Sequence, residues 1–156
     1  IAKITSAGLN RPVTGDGPYK GMSPLYFLAW TRDGKKLLLN NDDLCAMITR
    51  AGLNQPVTAD GPDKGMSPLY WLTMNPEGIQ ILNKIPNLMN MITDEALNTK
   101  ADSSGKSPAD NLQKTDEGKK LLREIKEKKN YFTGIFHHKE QPSDPDTEKN
   151  DTCTIC

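Results

Sequence analysis

Apolar residues in this chain recur at helical spacing rather than in the alternation of a strand. Leu44, Met47 and Ile48 stand at positions i, i+3 and i+4, and the same spacing returns 44 residues later over residues 88–92. Valine, which favours strands, occurs at only two positions, whereas leucine, lysine and asparagine are common. The sequence therefore predicts an all-α fold. The predicted core includes Leu25, Leu28, Leu37, Leu38, Leu69, Leu72, Ile81, Leu82, Leu121 and Leu122.

Three Ser-Pro pairs mark predicted helix starts. Ser23, Ser67 and Ser107 can accept hydrogen bonds from the free amides of a first turn, and a proline follows each at the first helical position. At the first pair, Met22 and Phe27 have the spacing of a hydrophobic staple, and the second copy repeats this spacing. A glycine recurs 11 residues beyond each serine and is followed by two apolar residues. We therefore expect pairs of short helices.

These elements belong to an internal repeat. Residues 4–30 and 48–74 align without a gap, which gives a period of 44 residues. A third copy begins at Ile92, and its Ser-Pro pair arrives four residues early. Because length changes in repeats fall in loops, we predict a shortened loop and unchanged helices in the third copy.

The repeat divides the chain into two predicted parts. A helical repeat domain spans residues 1–136, and a flexible tail spans residues 137–156. Ile1 and Ala2 align with the end of an earlier unit, so the first unit is incomplete at its N-terminus and we expect a longer protein. The predicted units lie near residues 4–47, 48–91 and 92–130.

Two details of the repeat carry predictions about burial. Cys45 aligns with Met89, which indicates a small buried apolar residue rather than a nucleophile. In the third copy, Ala109, Asp110 and Asn111 replace the bulky residues of the second copy. Such a change is expected for a terminal repeat with a polar outer face, because no further unit stacks on it.

The order Gly-x-Ser-Pro-Leu-Tyr-x-Leu, then a glycine, an apolar helix and Ala-Gly-Leu-Asn, resembles the ankyrin pattern. That pattern reads Gly-x-Thr-Pro-Leu-His-x-Ala followed by Gly-Ala-Asp-Val-Asn, and the resemblance covers residues 1–129. Tyr26 and Tyr70 stand where ankyrins usually place histidine, and the period exceeds the usual value of about 33. Long-period repeats of this kind resemble those of ankyrin-type effectors of intracellular bacteria such as Legionella. The resemblance implies a repeat solenoid with long inter-repeat loops, and secretion into a host cell.

Charge, hydropathy and cysteine content narrow the class of protein. The 20 basic and 20 acidic residues cancel, so we predict no nucleic-acid partner. An apolar fraction of 35% with mean hydropathy −0.64 is low for one globular core but suits a thin stack of repeats. No apolar run approaches the roughly 20 residues that span a bilayer. Three cysteines, two of them at the C-terminus, favour a reducing cytosol over a disulfide framework.

The C-terminal residues have the C-a-a-X form of a prenylation signal. We predict lipid attachment at Cys153, followed by Thr154, Ile155 and Cys156. The small final residue favours farnesyl over geranylgeranyl, with a host prenyltransferase as the modifying partner. The alternative is that the terminal cysteines occur by chance and serve only as exposed thiols.

A basic segment precedes the tail and is a candidate for membrane contact. Seven basic residues oppose three acidic ones between positions 119 and 140, a net charge of +4. One prenyl chain holds a membrane weakly, so a second attraction such as this patch is normally needed. An ordinary solvated last helix explains the same pattern. The predicted patch comprises Lys119, Lys120, Arg123, Lys126, Lys128 and Lys129.

The long loops supply the candidate partner-binding residues. Tyr19 and Asp63 occupy equivalent positions in otherwise similar loops, so they are candidates for partner specificity, together with Asp16 and Asp60. The repeated Asp-Gly-Pro is predicted to be a turn rather than a calcium site, because no further carboxylates stand at ligand spacing.

Catalytic, metal and cofactor sites are not predicted. No Ser-His-Asp set, paired carboxylates or glycine-rich phosphate loop is present, so we predict no enzyme activity and no cofactor. His137 and His138 with Cys153 and Cys156 supply four zinc-type ligands, but adjacent histidines point apart in regular backbone. We therefore expect no metal site.

The sequence thus predicts a non-catalytic protein-interaction module, the C-terminal part of a longer effector. It would bind a host protein and lie on the cytoplasmic face of a host membrane through its lipid, or remain soluble in the cytosol if it is not prenylated. The alternative is a targeting appendage of an enzyme or ubiquitin-ligase adaptor whose functional domain lies upstream.

Overall fold

The computed structural model describes the backbone of residues 4–140 and the side chains of residues 4–129. The chain divides into two compact units, Ile1–Leu122 and Arg123–Cys156. Residues 4–140 contain eleven α-helices and no β-strand, which confirms the all-α prediction for the described part of the chain. The helices are α1 Ser6–Asn10, α2 Pro24–Trp30, α3 Arg32–Leu39, α4 Asp42–Ala46, α5 Arg50–Asn54, α6 Pro68–Leu72, α7 Pro76–Lys84, α8 Leu88–Met91, α9 Asp94–Asn98, α10 Pro108–Leu112 and α11 Asp116–Glu140.

The predicted helix starts are present at all three Ser-Pro pairs. Ser23, Ser67 and Ser107 are the N-cap residues of α2, α6 and α10, and each proline is the first helical residue. Each serine hydroxyl accepts a hydrogen bond from the amide three residues further on, at 3.1 to 3.2 Å. At α10 the Asp110 carboxylate also accepts from the Ser107 amide, which completes a capping box.

Three similar loops precede these helices. In loop 1, residues 13–22, the Val13 amide donates to the Met22 carbonyl at 2.9 Å and the Gly21 amide donates to the Val13 carbonyl at 2.8 Å. Loop 2, residues 57–66, closes with the same two bonds. Loop 3, residues 101–106, is shorter and closes in the same way through Ala101. The four missing residues of the third copy therefore lie within this loop, as predicted.

Helices one period apart contact each other within the first compact unit. Helix α1 contacts α5, α2 contacts α6, α3 contacts α7, and α6 contacts α10. Two asparagines join neighbouring repeats at the Ala-Gly-Leu-Asn motif. The Asn10 side chain donates to the Met47 carbonyl at 2.9 Å and accepts from the Thr49 amide at 3.0 Å. Asn54 makes the equivalent pair of bonds one period later.

We expect Asn54→Ala to lower the free energy of unfolding by about 2 kcal/mol. The change removes the bonds of Asn54 to the Met91 carbonyl at 2.6 Å and to the Thr93 amide at 3.2 Å, leaving partly buried backbone groups unpaired. Asn98→Ala is the matched control, because the bond that exposed Asn98 makes among residues 4–129 lies within its own helix, to the Asp94 carbonyl. Urea denaturation of both variants tests this, and equal losses would contradict the bridging role of Asn54.

Most of the predicted core is buried, but Leu37 is an exception. Leu38, Leu72 and Ile81 are fully buried, whereas Leu37 is 46% exposed and Leu28 is half-buried. Leu37 aligns with Ile81, whose helix α7 contacts α3 of the first repeat. The prediction for Leu37 is therefore wrong, because the first repeat has no described neighbour on that face.

The third repeat differs from its predicted polar outer face at one residue. Asn111 is buried, and its side-chain amide donates to the Tyr70 carbonyl and the Thr73 hydroxyl, each at 3.3 Å. The polar side chain of Asn111 therefore forms hydrogen bonds with the preceding repeat instead of facing water. Ala109 and Asp110 are partly exposed.

Helix α11 continues to Glu140, four residues beyond the end predicted for the repeat domain. Residues 141–156, most of the predicted tail, lie outside the described part of the chain. Within residues 4–140, no helix combines the length and apolar content that a membrane crossing requires.

Candidate functional site

Most of the predicted partner-binding residues line a cavity between loops 1 and 2, which we call the loop cavity. Another cavity, of about 400 Å³, is lined by different residues. This loop cavity has a volume of about 300 Å³. Three of the four candidate partner-binding residues, Tyr19, Asp60 and Asp63, contribute to its wall. Its other lining residues are Pro18, Met22, Trp30, Val57, Ala59, Gly61 and Pro62.

Loop backbone geometry brings these residues together. Loop 1 lies against loop 2 at Gly21, where an added Cβ would be 3.5 Å from the Thr58 amide nitrogen and 3.7 Å from the Val57 Cα. Gly21 has a φ of +87°, a conformation that suits glycine. Loop 2 in turn contacts loop 3, since the Ser103 hydroxyl donates to the Pro62 carbonyl at 2.8 Å. The loops therefore support one another in a row.

Aromatic side chains form one wall of the loop cavity. Tyr19 is 57% exposed and packs edge-on against Phe27, with ring centroids 5.5 Å apart. Trp30 is 43% exposed and lies 6.1 Å from Trp71 between ring centroids. Sequence reasoning did not select Trp30 as a site residue. Trp30 aligns with Met74 in the repeat and stands at the end of a helix, and this difference between the two copies was the signal that could have selected it.

The floor of the loop cavity is apolar and well packed. Met22 and Val57 are buried in a cluster that also contains Tyr26, Met66, Tyr70 and Ala101. Burial raises the pKa of the Tyr26 hydroxyl well above its ordinary value, with an opposing effect from Trp71 and a further raising effect from Asp63. The Tyr26 hydroxyl is therefore neutral, and the Asp63 carboxylate lies close enough to influence it.

Acidic groups lie on the rim. Asp60 pairs with Lys64 at 3.0 Å, and hydrogen bonding to Asp60 raises the pKa of that lysine. Asp63 takes part in no ion pair among residues 4–129. Asp16 pairs with Lys20 in loop 1 at 3.0 Å and does not line the cavity. Of the two aspartates that line the cavity, Asp63 is therefore the one without an ion pair among residues 4–129.

A second concave surface, the end groove, lies on the first repeat. It has a volume of about 570 Å³ and is almost entirely apolar. Ile4, Val13 and Leu37 line it and are 50%, 44% and 46% exposed. Their equivalents Ile48, Val57 and Ile81 are buried against the first repeat. The end groove is therefore the same face that the second repeat has covered.

The remaining predicted residues have no role at these two surfaces. Cys45 is buried as predicted, its thiol donates to the Leu38 carbonyl at 3.2 Å, and burial raises its pKa. The six residues of the basic patch lie on α11, five of them exposed and Lys129 half-buried. Residues 153–156 and the side chains of His137 and His138 lie outside the described part. Among the described residues, no group of three or more metal-ligating side chains is positioned to hold a metal ion.

Comparisons of this chain with protein-family models, with curated proteins and with solved structures give no match.

Proposed function

We propose that this chain is a non-catalytic protein-interaction module whose partner binds at the loop cavity. The observation that carries the proposal is the position of Tyr19, Asp60 and Asp63 around one cavity, beside exposed Trp30. Aromatic side chains are enriched at protein interfaces, and tryptophan and tyrosine are common among the few residues that supply most of the binding energy. The partner is a host protein, as the resemblance to bacterial effectors implies.

The same proposal includes an ankyrin-like repeat solenoid. Contacts between helices one period apart and the repeated asparagine bridges support it. The three loops with the same closure lie in a row, as the binding loops of such a stack would. The loop surface is thereby held on helices that stabilise each other.

Site-directed photo-crosslinking tests the partner surface. A photoreactive phenylalanine derivative replaces Tyr19 at the rim of the loop cavity, and in a control chain it replaces Asn83, an exposed residue of α7. In infected or transfected host cells we expect a defined adduct from position 19 and none from position 83. Absence of an adduct at position 19, or the same adduct from both positions, would contradict the proposal.

We further propose that farnesyl attachment at Cys153 places the module on the cytoplasmic face of a host membrane. The C-a-a-X form of residues 153–156 supports this. The exposed basic residues of α11 would add attraction to anionic lipids at about 1 kcal/mol each near the surface. A lipid and a basic helix together meet the need for two membrane signals.

Expression in eukaryotic cells tests the lipid. We expect most of the full chain in the membrane fraction and the Cys153→Ser variant in the soluble fraction, because Cys153 is the cysteine that the C-a-a-X form marks for the lipid. Cys156→Ser is the matched control, since serine at the final position still suits farnesyl transfer. An unmodified C-terminus by mass spectrometry, or unchanged partition of Cys153→Ser, would contradict the anchor.

A further inference from the structure

The loop cavity has a chemistry that is more specific than general protein binding. Its floor is formed by Met22, Val57 and Ala59, which are buried or half-buried and offer no charge. A long unbranched stem can lie along such a surface while its polar end remains at the rim. The shape therefore suits an extended side chain with an apolar stem and a polar head.

The aromatic wall favours a positive head group. Tyr19 and Trp30 line the loop cavity, are exposed, and pack against the neighbouring rings of Phe27 and Trp71. A cation placed over a tyrosine or tryptophan face gains electrostatic attraction from the ring, and tryptophan is the strongest partner. A planar guanidinium can also stack on the ring, which an ammonium cannot do.

Two aspartates at the rim of the loop cavity add negative charge beside the aromatic wall. Asp63 is outside every ion pair of residues 4–129, and its carboxylate can accept two parallel hydrogen bonds. Asp60 is paired with Lys64, but the Asp60 side chain is 96% exposed and that of Lys64 is 42% exposed. An exposed pair of this kind contributes little stability, so a ligand cation can compete for Asp60 at small cost.

We propose that the loop cavity binds the side chain of an arginine on the partner protein. The stem lies on the apolar floor, the guanidinium lies against Tyr19 and Trp30, and Asp63 accepts its hydrogen bonds. This inference rests on the proposed function, because it names the group that the partner presents at the same surface. An acidic side chain at this position would be repelled by Asp63.

Binding of short peptides to the full chain tests the proposal. The probes are acetylated, amidated Gly-Gly-Arg-Gly-Gly and the same peptide with citrulline, which keeps the shape of arginine but has no charge. The readout is the indole N–H signals of Trp30 and Trp71 in nitrogen–proton NMR spectra during titration. We expect the arginine peptide to shift the Trp30 signal saturably, with affinity about fivefold above that of the citrulline peptide.

Two variants locate the binding. We expect Tyr19→Ala and Asp63→Asn each to weaken the arginine peptide by about fivefold. The matched control Asp33→Asn removes an exposed acid of α3 outside the loop cavity and should leave the affinity unchanged. Tyr19 is largely exposed, so its variant remains informative even if Asp63→Asn disturbs the loop.

Equal affinity for the arginine and citrulline peptides, or unchanged binding in both cavity variants, would overturn the arginine assignment. This failure is distinguishable from failure of the proposed function. An adduct at position 19 without arginine binding would support the partner surface and contradict only its preference for arginine. Arginine binding without an adduct would support the arginine preference of the loop cavity and contradict the proposal that a host protein binds there.

Discussion

Gly78→Ala is expected to lower the free energy of unfolding by about 3 kcal/mol, although alanine ordinarily stabilises a helix relative to glycine. Gly78 is the third residue of α7, and the Asn75 side chain accepts a hydrogen bond from its amide at 2.9 Å. A Cβ at this position would lie 2.2 Å from the Leu72 carbonyl oxygen and 2.6 Å from its carbon. These are backbone atoms at the end of α6, so the two helices would have to separate.

Chemical denaturation of the full chain measures this loss. Gly15→Ala is the control, because an added Cβ there meets no atom within 4 Å and loop 1 can accept it. The same crowding exists at Gly34 and Gly118, each with preceding-helix backbone within 2.5 Å of an added Cβ. A Gly78→Ala chain as stable as the parent would show that α6 and α7 do not approach as closely as described.

Ile48→Ala is expected to cost about 3 kcal/mol, whereas the same change at Ile4 should cost less than about 1 kcal/mol. The two residues occupy equivalent positions in the Ile-Thr-x-Ala-Gly-Leu-Asn motif. Ile48 is 4% exposed and Ile4 is 50% exposed. Removing a buried side chain loses its transfer free energy and leaves a cavity, whereas an exposed side chain loses little of either.

The pair is its own control because the residue type and local sequence are the same. Val57→Ala against Val13→Ala provides a second pair, with 3% and 44% exposure. Thermal and urea unfolding of the four variants would separate the effect of position from that of residue type. Similar losses at Ile4 and Ile48 would mean that the end groove is covered in solution.

Much of the local structure could be predicted from the sequence. The three Ser-Pro helix starts and the shortened third loop were predicted correctly. These features depend on groups a few residues apart, such as the Ser23 hydroxyl and the Tyr26 amide. Candidate site residues came from loop positions that differ between copies, and three of the four line one cavity. Their role in binding remains a prediction.

Other features were beyond sequence reasoning because they depend on contacts between repeats. Leu37 and Ile81 share a position in the pattern, but only Ile81 has a repeat packed on its N-terminal side. Asn111 was predicted to face water, and it instead bonds with Tyr70 and Thr73 of the preceding repeat. Trp30 was not selected, because its place at the loop cavity and its contact with Trp71 of the next repeat result from the packing of one repeat on the other.

By itself the sequence determined the helix starts, the repeat period and the loop lengths, since hydrogen bonds and backbone preferences between near neighbours decide them. Only the tertiary structure decided which copy of a repeated residue is buried, which glycine tolerates a side chain, and which loop residues meet. The physical reason is that the burial of a repeated residue depends on atoms about 44 residues away along the chain, and identical local sequences do not specify whether those atoms are present. The crowding at Gly78 depends instead on how closely α7 packs against the end of α6.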